Sequence, residues 1–189
     1  MTMPTVLLII DMQKGMLATR LPPRNNPGAD DNIARLQAAW RDAGQPVVNV
    51  RHISREATSV FAPGQPGAEF QDRFAPLPHE HVVEKNVPDA FVNTGLERWL
   101  HVRGIRDVVI VGVSTNNSVE ATARTCGNLG FNTTVVAEAT FTFAMRDFAG
   151  HLRSADEVHW MALANLQADY AAIRSTDDVI AMLGAKTRA

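Results

Sequence analysis

Three residues of this chain combine bond-cleaving chemistry with a place at the end of an apolar run. Asp11 closes Val6-Leu7-Leu8-Ile9-Ile10, and Lys85 ends Val82-Val83-Glu84. Ser118 ends the polar turn Ser114-Thr115-Asn116-Asn117, which follows Val108-Val109-Ile110-Val111-Gly112-Val113. A carboxylate at the end of a buried strand is poorly solvated unless a cation or backbone N–H groups hold it. Lys85 can supply that cation, and an ammonium, unlike a guanidinium, can also give up its proton. Lysine is a rare choice here, because the 18 basic residues divide into 15 Arg and 3 Lys. Ser118, near a helix start, would meet free N–H groups and the positive end of the helix dipole, which favour an anion or an activated nucleophile. Taken singly, each residue also fits a plainer role: a turn-capping Asp, a lysine whose stem packs while its head reaches water, a Ser N-cap.

The elements that position them follow from hydrophobic periodicity. The run at 6–10 is apolar at every position, the pattern of a strand buried on both faces, and a parallel sheet is its natural setting. A helix is predicted over 29–43, with Ile33, Leu36, Ala39 and Trp40 at helical spacing and Gly44 as its stop. Strands at 46–50, 82–85, 108–113 and 133–137 alternate with helices at 94–103, 117–129 and 154–170, and a short strand and helix fill 172–183. Ser154 with Glu157 forms a capping box for the third of these helices. Between 51 and 79 runs a long irregular loop with Gly64, Gly67 and several prolines, a length that is usually functional or disordered. This alternation predicts a three-layer α/β/α domain around a Rossmann-like parallel sheet of about six strands, as a single domain over 1–189. Ligands of such sheets sit outside the carboxyl ends of the strands. Asp11, Arg51 and His52, Lys85 and the 114–118 turn all fall at that edge.

Composition narrows the partners. With 189 residues there is room for one substantial core. The balance of 18 basic against 20 acidic residues gives no basic stripe for nucleic acid, so no such partner is expected. No apolar stretch approaches a membrane span or a signal-peptide core, so a cytoplasmic protein without a membrane partner is expected. The single cysteine, Cys126, excludes an internal disulfide and a cysteine-rich metal site. It lies eight residues past Ser118 on the same helix, about 12 Å along the axis at 1.5 Å per residue, so a packing role is expected for it.

Taken together, these motifs resemble the isochorismatase-like hydrolase superfamily, also called cysteine hydrolases, which includes nicotinamidases, N-carbamoylsarcosine amidases and isochorismatases. The resemblance runs from Leu8-Ile9-Ile10-Asp11-Met12-Gln13 through Glu84-Lys85-Asn86 and Asp89-Ala90-Phe91 to Gly112-Val113-Ser114-Thr115-Asn116 and Ser118-Val119-Glu120-Ala121-Thr122-Ala123-Arg124. It implies the isochorismatase-like fold, with Asp11 and Lys85 as two members of a catalytic triad. Ser118 stands at the third position, where the amidases carry cysteine. The resemblance also implies a cis peptide at Val113–Ser114 and an oxyanion hole made by the backbone N–H groups of Ser114 and Ser118. Gln13, His52, Phe91 and Asn117 are expected to contact substrate.

Nicotinamidases of this superfamily hold a metal through an Asp and two His after the second strand. Here Arg51-His52-Ile53-Ser54-Arg55 offers two cations and one His, so neither metal nor cofactor is expected. His79 and His81 are expected in solvent, and His159 in packing or at an interface. Phe61 and Phe70 either wall a pocket or pin the loop. The expected reaction is hydrolysis of a small molecule at an amide C–N or vinyl-ether bond. A serine hydroxyl is several units less acidic than a thiol near pKa 8.5, which leaves three readings open. Ser118 is itself the nucleophile; or Asp11 acts as a general acid, as in true isochorismatases; or the chain is a natural or engineered Cys-to-Ser variant that binds a small molecule without turnover. Family precedent and the Ala-, Leu-, Trp- and Met-rich stretch 158–170 suggest a homodimer or homotetramer.

Overall fold

Every residue of β1 (Thr5–Ile10) is buried, as its uninterrupted apolar run requires. Successive side chains of a strand point to opposite faces, and β1 divides accordingly. Val6, Leu8 and Ile10 enter one core with Leu96, Leu100, Val119, Ala123 and Leu166, whereas Leu7 and Ile9 enter the other with Ile33, Leu36, Trp40 and Val179. A computed structural model describes residues 4–187.

Around β1 stand β2 (Val47–His52), β3 (His81–Lys85), β4 (Asp107–Val113), β5 (Asn132–Phe141) and, after a small antiparallel hairpin of β6 (Met145–Arg146) and β7 (Leu152–Arg153), the edge strand β8 (Ala172–Arg174). The six-stranded sheet is parallel throughout, in the order β3-β2-β1-β4-β5-β8. Helices α1 (Ala29–Asp42) and α5 (Thr176–Thr187) cover one face, and α2 (Leu96–Val102), α3 (Glu120–Asn128) and α4 (Ala155–Asp169) cover the other. This is the three-layer α/β/α architecture expected. The chain leaves β1 toward β2 on one side and returns to it through β4 on the other, so the crevice between the β1 and β4 ends is the topological switch point where such sheets bind ligands.

Three details differ from the expectation. β5 runs on to Phe141, because an irregularity between Ile110 and Gly112 of β4 lets Thr140 and Phe141 resume pairing beyond Glu138. The helix expected at 117 opens instead as a π-helical turn, Thr115–Val119, before α3 begins at Glu120. The β6–β7 hairpin was not foreseen, since two-residue strands carry no periodic signal. The capping box of α4 is present, with Ser154 Oγ accepting from the Glu157 N–H at 3.2 Å and Glu157 Oε2 accepting from the Ser154 N–H at 2.8 Å.

Candidate active site

Asp11 follows β1 in a left-handed conformation (φ 51°), which Asp tolerates better than most residues, and is 1% exposed. Its N–H extends the sheet by donating to the Val50 carbonyl at 2.9 Å. Lys85 ends β3, two strands away, and its stem crosses the end of β2 fully buried. Its Nζ donates to Asp11 Oδ2 at 2.7 Å and to Ser118 Oγ at 3.2 Å. One ammonium therefore joins the ends of β1 and β3 to the turn after β4. Asp11 Oδ1 is buried and has no hydrogen-bond partner among the described residues. Burial pushes the Asp11 carboxyl above its ordinary value, while the charge and hydrogen bond of Lys85 pull it the other way.

The Ser118 turn depends on Gly112. At φ 115° its α-carbon lies so close to β1 that a Cβ would fall 2.1 Å from the Ile10 carbonyl oxygen, so only glycine lets β4 end here. The Val113–Ser114 peptide that follows is cis. The Ser114 carbonyl accepts from the N–H groups of Asn117 and Val119, both at 3.1 Å; the N–H groups of Ser114 and Ser118 are not the ones it uses. Side chains brace the turn from behind. Thr115 Oγ1 bonds His159 Nδ1 at 2.9 Å, and Thr142 Oγ1 donates to Asn116 Oδ1. His159, fully buried on α4, thus supports the turn and is not at an interface.

The other expected site residues divide. His52 is half-buried beside the ion pair; burial and the Lys85 charge hold its pKa below the ordinary histidine value. Asn117 is exposed on the turn. Gln13, expected to touch substrate, is fully buried, and its amide is spent on backbone: Nε2 donates to the carbonyls of His52 and Ala68 at 2.9 and 3.0 Å, and Oε1 accepts from the His52 N–H at 2.8 Å. It ties the long loop to the Asp11 turn, and no donor is left for a ligand. Phe91 is likewise packed inward, 8% exposed and stacked on Phe131 in the core under α2 and α3. Phe61 pins the loop, its ring 2.6 Å from where a Cβ on Gly15 would stand. His81 is half-buried rather than solvated, stacked on Trp99 with ring centroids 4.7 Å apart. Cys126 lies fully buried in the α3-side core, its thiol pushed up to about 12 by burial.

Two positioning residues, Gln71 and Asp89, carry no role in the sequence reading, although Asp89 belongs to the Asp89-Ala90-Phe91 motif. Gln71 lies on the long loop and bonds Met12 and Gln13 backbone through its N–H and Nε2, at 3.0 and 3.2 Å. Asp89 accepts from the Phe91 N–H at 2.8 Å and from Thr125 Oγ1, fastening the segment after Lys85 to α3. A Gln in a loop and an Asp beside a Pro carry no periodic signal; only the fold assigns them partners.

The isochorismatase domain model matches residues 5–178. The chain belongs to the isochorismatase family of hydrolases. It is 35% identical over 174 residues to the isochorismatase family protein YrdC of Bacillus subtilis, covering 92% of this chain and 93% of that one. A crystal structure of an isochorismatase-family protein from Chromobacterium violaceum superposes with a TM-score of 0.94 at 44% identity, over 96% of this chain and 94% of the other. The maleamate amidohydrolase of Pseudomonas putida is 35% identical over 149 residues, 70% of each chain. Family members are hydrolases, amidohydrolases and a nicotinamidase among them. Among the described residues, no helix is long and apolar enough to cross a membrane.

Proposed function

We propose that this isochorismatase-family chain hydrolyses a small-molecule C–N amide at the Asp11–Lys85–Ser118 cluster, with Ser118 as nucleophile. One observation carries the reading: a single buried ammonium stands within hydrogen-bond reach of both Asp11 and Ser118, at 2.7 and 3.2 Å, beside the switch-point crevice. Asp11 takes the Ser118 proton as Oγ attacks the amide carbonyl carbon. The oxyanion that forms rests on the Ser114 and Ser118 N–H groups, and Lys85 steadies the charge. Collapse breaks the C–N bond, the leaving amine takes the proton from Asp11, and the acyl group stays on Ser118 as an ester. A water molecule, deprotonated by Asp11, then releases the acid and restores Ser118. A carboxyl raised above its ordinary pKa is the stronger base for these steps.

The same raised carboxyl favours a second reading. Protonated, Asp11 would act as a general acid on a vinyl ether and need no nucleophile at position 118. The two readings separate on primary amides such as maleamate and nicotinamide, set against a vinyl-ether substrate. Under the amidase reading, Ser118→Ala lowers amide turnover by orders of magnitude and Ser118→Cys raises it, a thiol being the easier anion. Amide turnover indifferent to Ser118→Ala overturns that reading. Vinyl-ether turnover that survives Ser118→Ala but not Asp11→Asn establishes the second.

A further inference from the structure

A buried imidazole stands in the core directly behind the Ser118 turn. His159 lies on the covered side of α4, and neither it nor Thr115, the residue after Ser114, has any exposed surface. His159 Nδ1 is 2.9 Å from Thr115 Oγ1, and Nε2 is 3.4 Å from Asn26 Nδ2. The neighbours fix the state of the ring. Asn26, left-handed (φ 44°) just before α1, gives both hydrogens of its amide to backbone: Nδ2 donates to the Ala137 and Thr140 carbonyls at 2.9 and 2.7 Å. Two carbonyls settle which end of that amide is nitrogen, because its oxygen in the same place would face two more oxygens. The group facing His159 Nε2 is therefore a donor, and a proton on Nε2 would point straight at it. Nε2 is bare. A neutral imidazole carries one proton, which must then sit on Nδ1 and be donated to Thr115 Oγ1. Burial favours that neutral ring by holding the His159 pKa below the ordinary histidine value, against the opposing pull of Asp156.

Packing alone does not ask for this arrangement. Valine at 115 and phenylalanine at 159 would fill the same core with no polar groups to desolvate. A directional bond adds one fixed place for the turn. The other side chains of the turn are tied elsewhere or free: Asn116 to Thr142 of the β5 end, Ser118 to Lys85, and Asn117 exposed. Thr115 fastens the turn to α4. We propose that His159 is a positioning residue for the reaction, its Nδ1–H holding Thr115 so that the turn aims the Ser114 and Ser118 N–H groups at the oxyanion. This rests on the amidase reading above and adds to it a residue that touches no substrate. Asn26 completes the device, since the amide that leaves Nε2 bare also grips the β5 backbone at Ala137 and Thr140 and so keys the ring to the sheet.

Long-range proton–nitrogen NMR on the unaltered chain reads the tautomer directly. A proton on Nδ1 with bare Nε2 is expected at neutral pH; a proton on Nε2, or on both nitrogens, overturns the inference. Kinetics on a primary amide then read the role. Thr115→Val keeps the volume and removes the acceptor, and should lower kcat about 100-fold, the cost of a misplacement of about 1 Å, with KM within about threefold. Thr115→Ser restores the acceptor and should recover most of that loss. At 159 an Asn amide reaches the place of Nδ1 and a Gln amide that of Nε2, so His159→Asn should retain more kcat than His159→Gln. A kcat unchanged in Thr115→Val, or equal losses in two folded His159 variants, would reduce the imidazole to core filling and overturn the proposal. If the His159 variants misfold, the tautomer and the two Thr115 variants still decide. Ser118→Ala in the same assay separates the two claims: turnover that survives it removes Ser118 as nucleophile, while the Thr115 variants still report on the turn. If the chain turns over no amide, the amidase reading falls, and the Ser114 and Ser118 amide resonances, expected to move in Thr115→Val but not in Thr115→Ser, take the place of kcat.

Discussion

At the scale of single residues, the chemistry depends on which protonation state of Asp11 does the work. Burial raises its carboxyl above 3.8, and Lys85 offsets only part of that. If Asp11 is the base that takes the Ser118 proton, kcat/KM on an amide must rise as pH climbs through the raised pKa, with the limb above the ordinary carboxylate range. If Asp11 is the acid that protonates a vinyl ether, the same limb must fall with rising pH. A pH–rate profile on each substrate class therefore gives opposite signs for one group. For the amide we expect the rising limb, and a flat profile through the acid range would remove Asp11 from the proton transfer. Lys85 matters to the same measurement, because its ammonium is the nearest charge holding Asp11 ionised. Lys85→Met should push the rising limb further up in pH, whereas a merely structural lysine would lower turnover without moving the limb.

At the scale of elements, one buried carboxylate sets the strand that delivers Lys85. Glu80 precedes β3, and its side chain is 3% exposed. It accepts from Arg41 of α1 at 2.7 and 3.0 Å, from Asn49 of β2 at 3.0 Å and from the Leu77 N–H at 2.9 Å. Burial alone would raise its pKa, but the bonds from Arg41, Leu77 and Asn49 together bring it below 4.5. The stability this group contributes is thus fully present above 4.5 and lost as pH falls through the lower folded-state value. Glu80→Ala should cost about 2–4 kcal/mol at neutral pH, short of the full penalty for a broken buried pair because Arg41 keeps some exposure, and it should flatten the acid slope. Urea melts at neutral and acid pH check both, and an unchanged midpoint would deny Glu80 this role. The strand that Glu80 anchors was readable in the sequence, as were β1 and β4, because apolar runs report burial locally. The ends of those strands were readable for the same reason: Asp11 and Lys85 stand where an apolar run stops, and Ser118 ends the polar turn that follows another. Glu80, Gln71 and the His159–Thr115 brace were not, because their side-chain partners, Leu77 apart, lie 31 to 58 residues away and polar side chains find partners only once the fold exists. Gln13 and Phe91 stand beside the right motifs but point into backbone and core; proximity in sequence gave their neighbourhood and not their direction.

At the scale of the whole molecule, the central sheet is the common wall of two cores, with β1, β2, β4 and β5 each sending side chains into both. Leu8 and Ile10 serve the α2, α3 and α4 side, and Leu7 and Ile9 serve the α1 and α5 side, so neither helix layer can leave without exposing half of the central strand. The chain should therefore unfold as one cooperative unit despite its two cores, at a fixed protein concentration that keeps association constant. Ile33→Val in the α1-side core and Ile105→Val in the α2-side core make the test, since both residues are at most 1% exposed and lie on opposite faces of the sheet. Each should cost about 0.5–1.5 kcal/mol by removing one buried methyl group. Because the sites share no contacts across the sheet, the double variant should cost their sum within about 0.5 kcal/mol, and both variants should lower one common midpoint seen by circular dichroism and by tryptophan fluorescence. Separate transitions, with each substitution moving only its own, would mean that the layers fold independently, and the sheet would then be a boundary between two units instead of the wall they share.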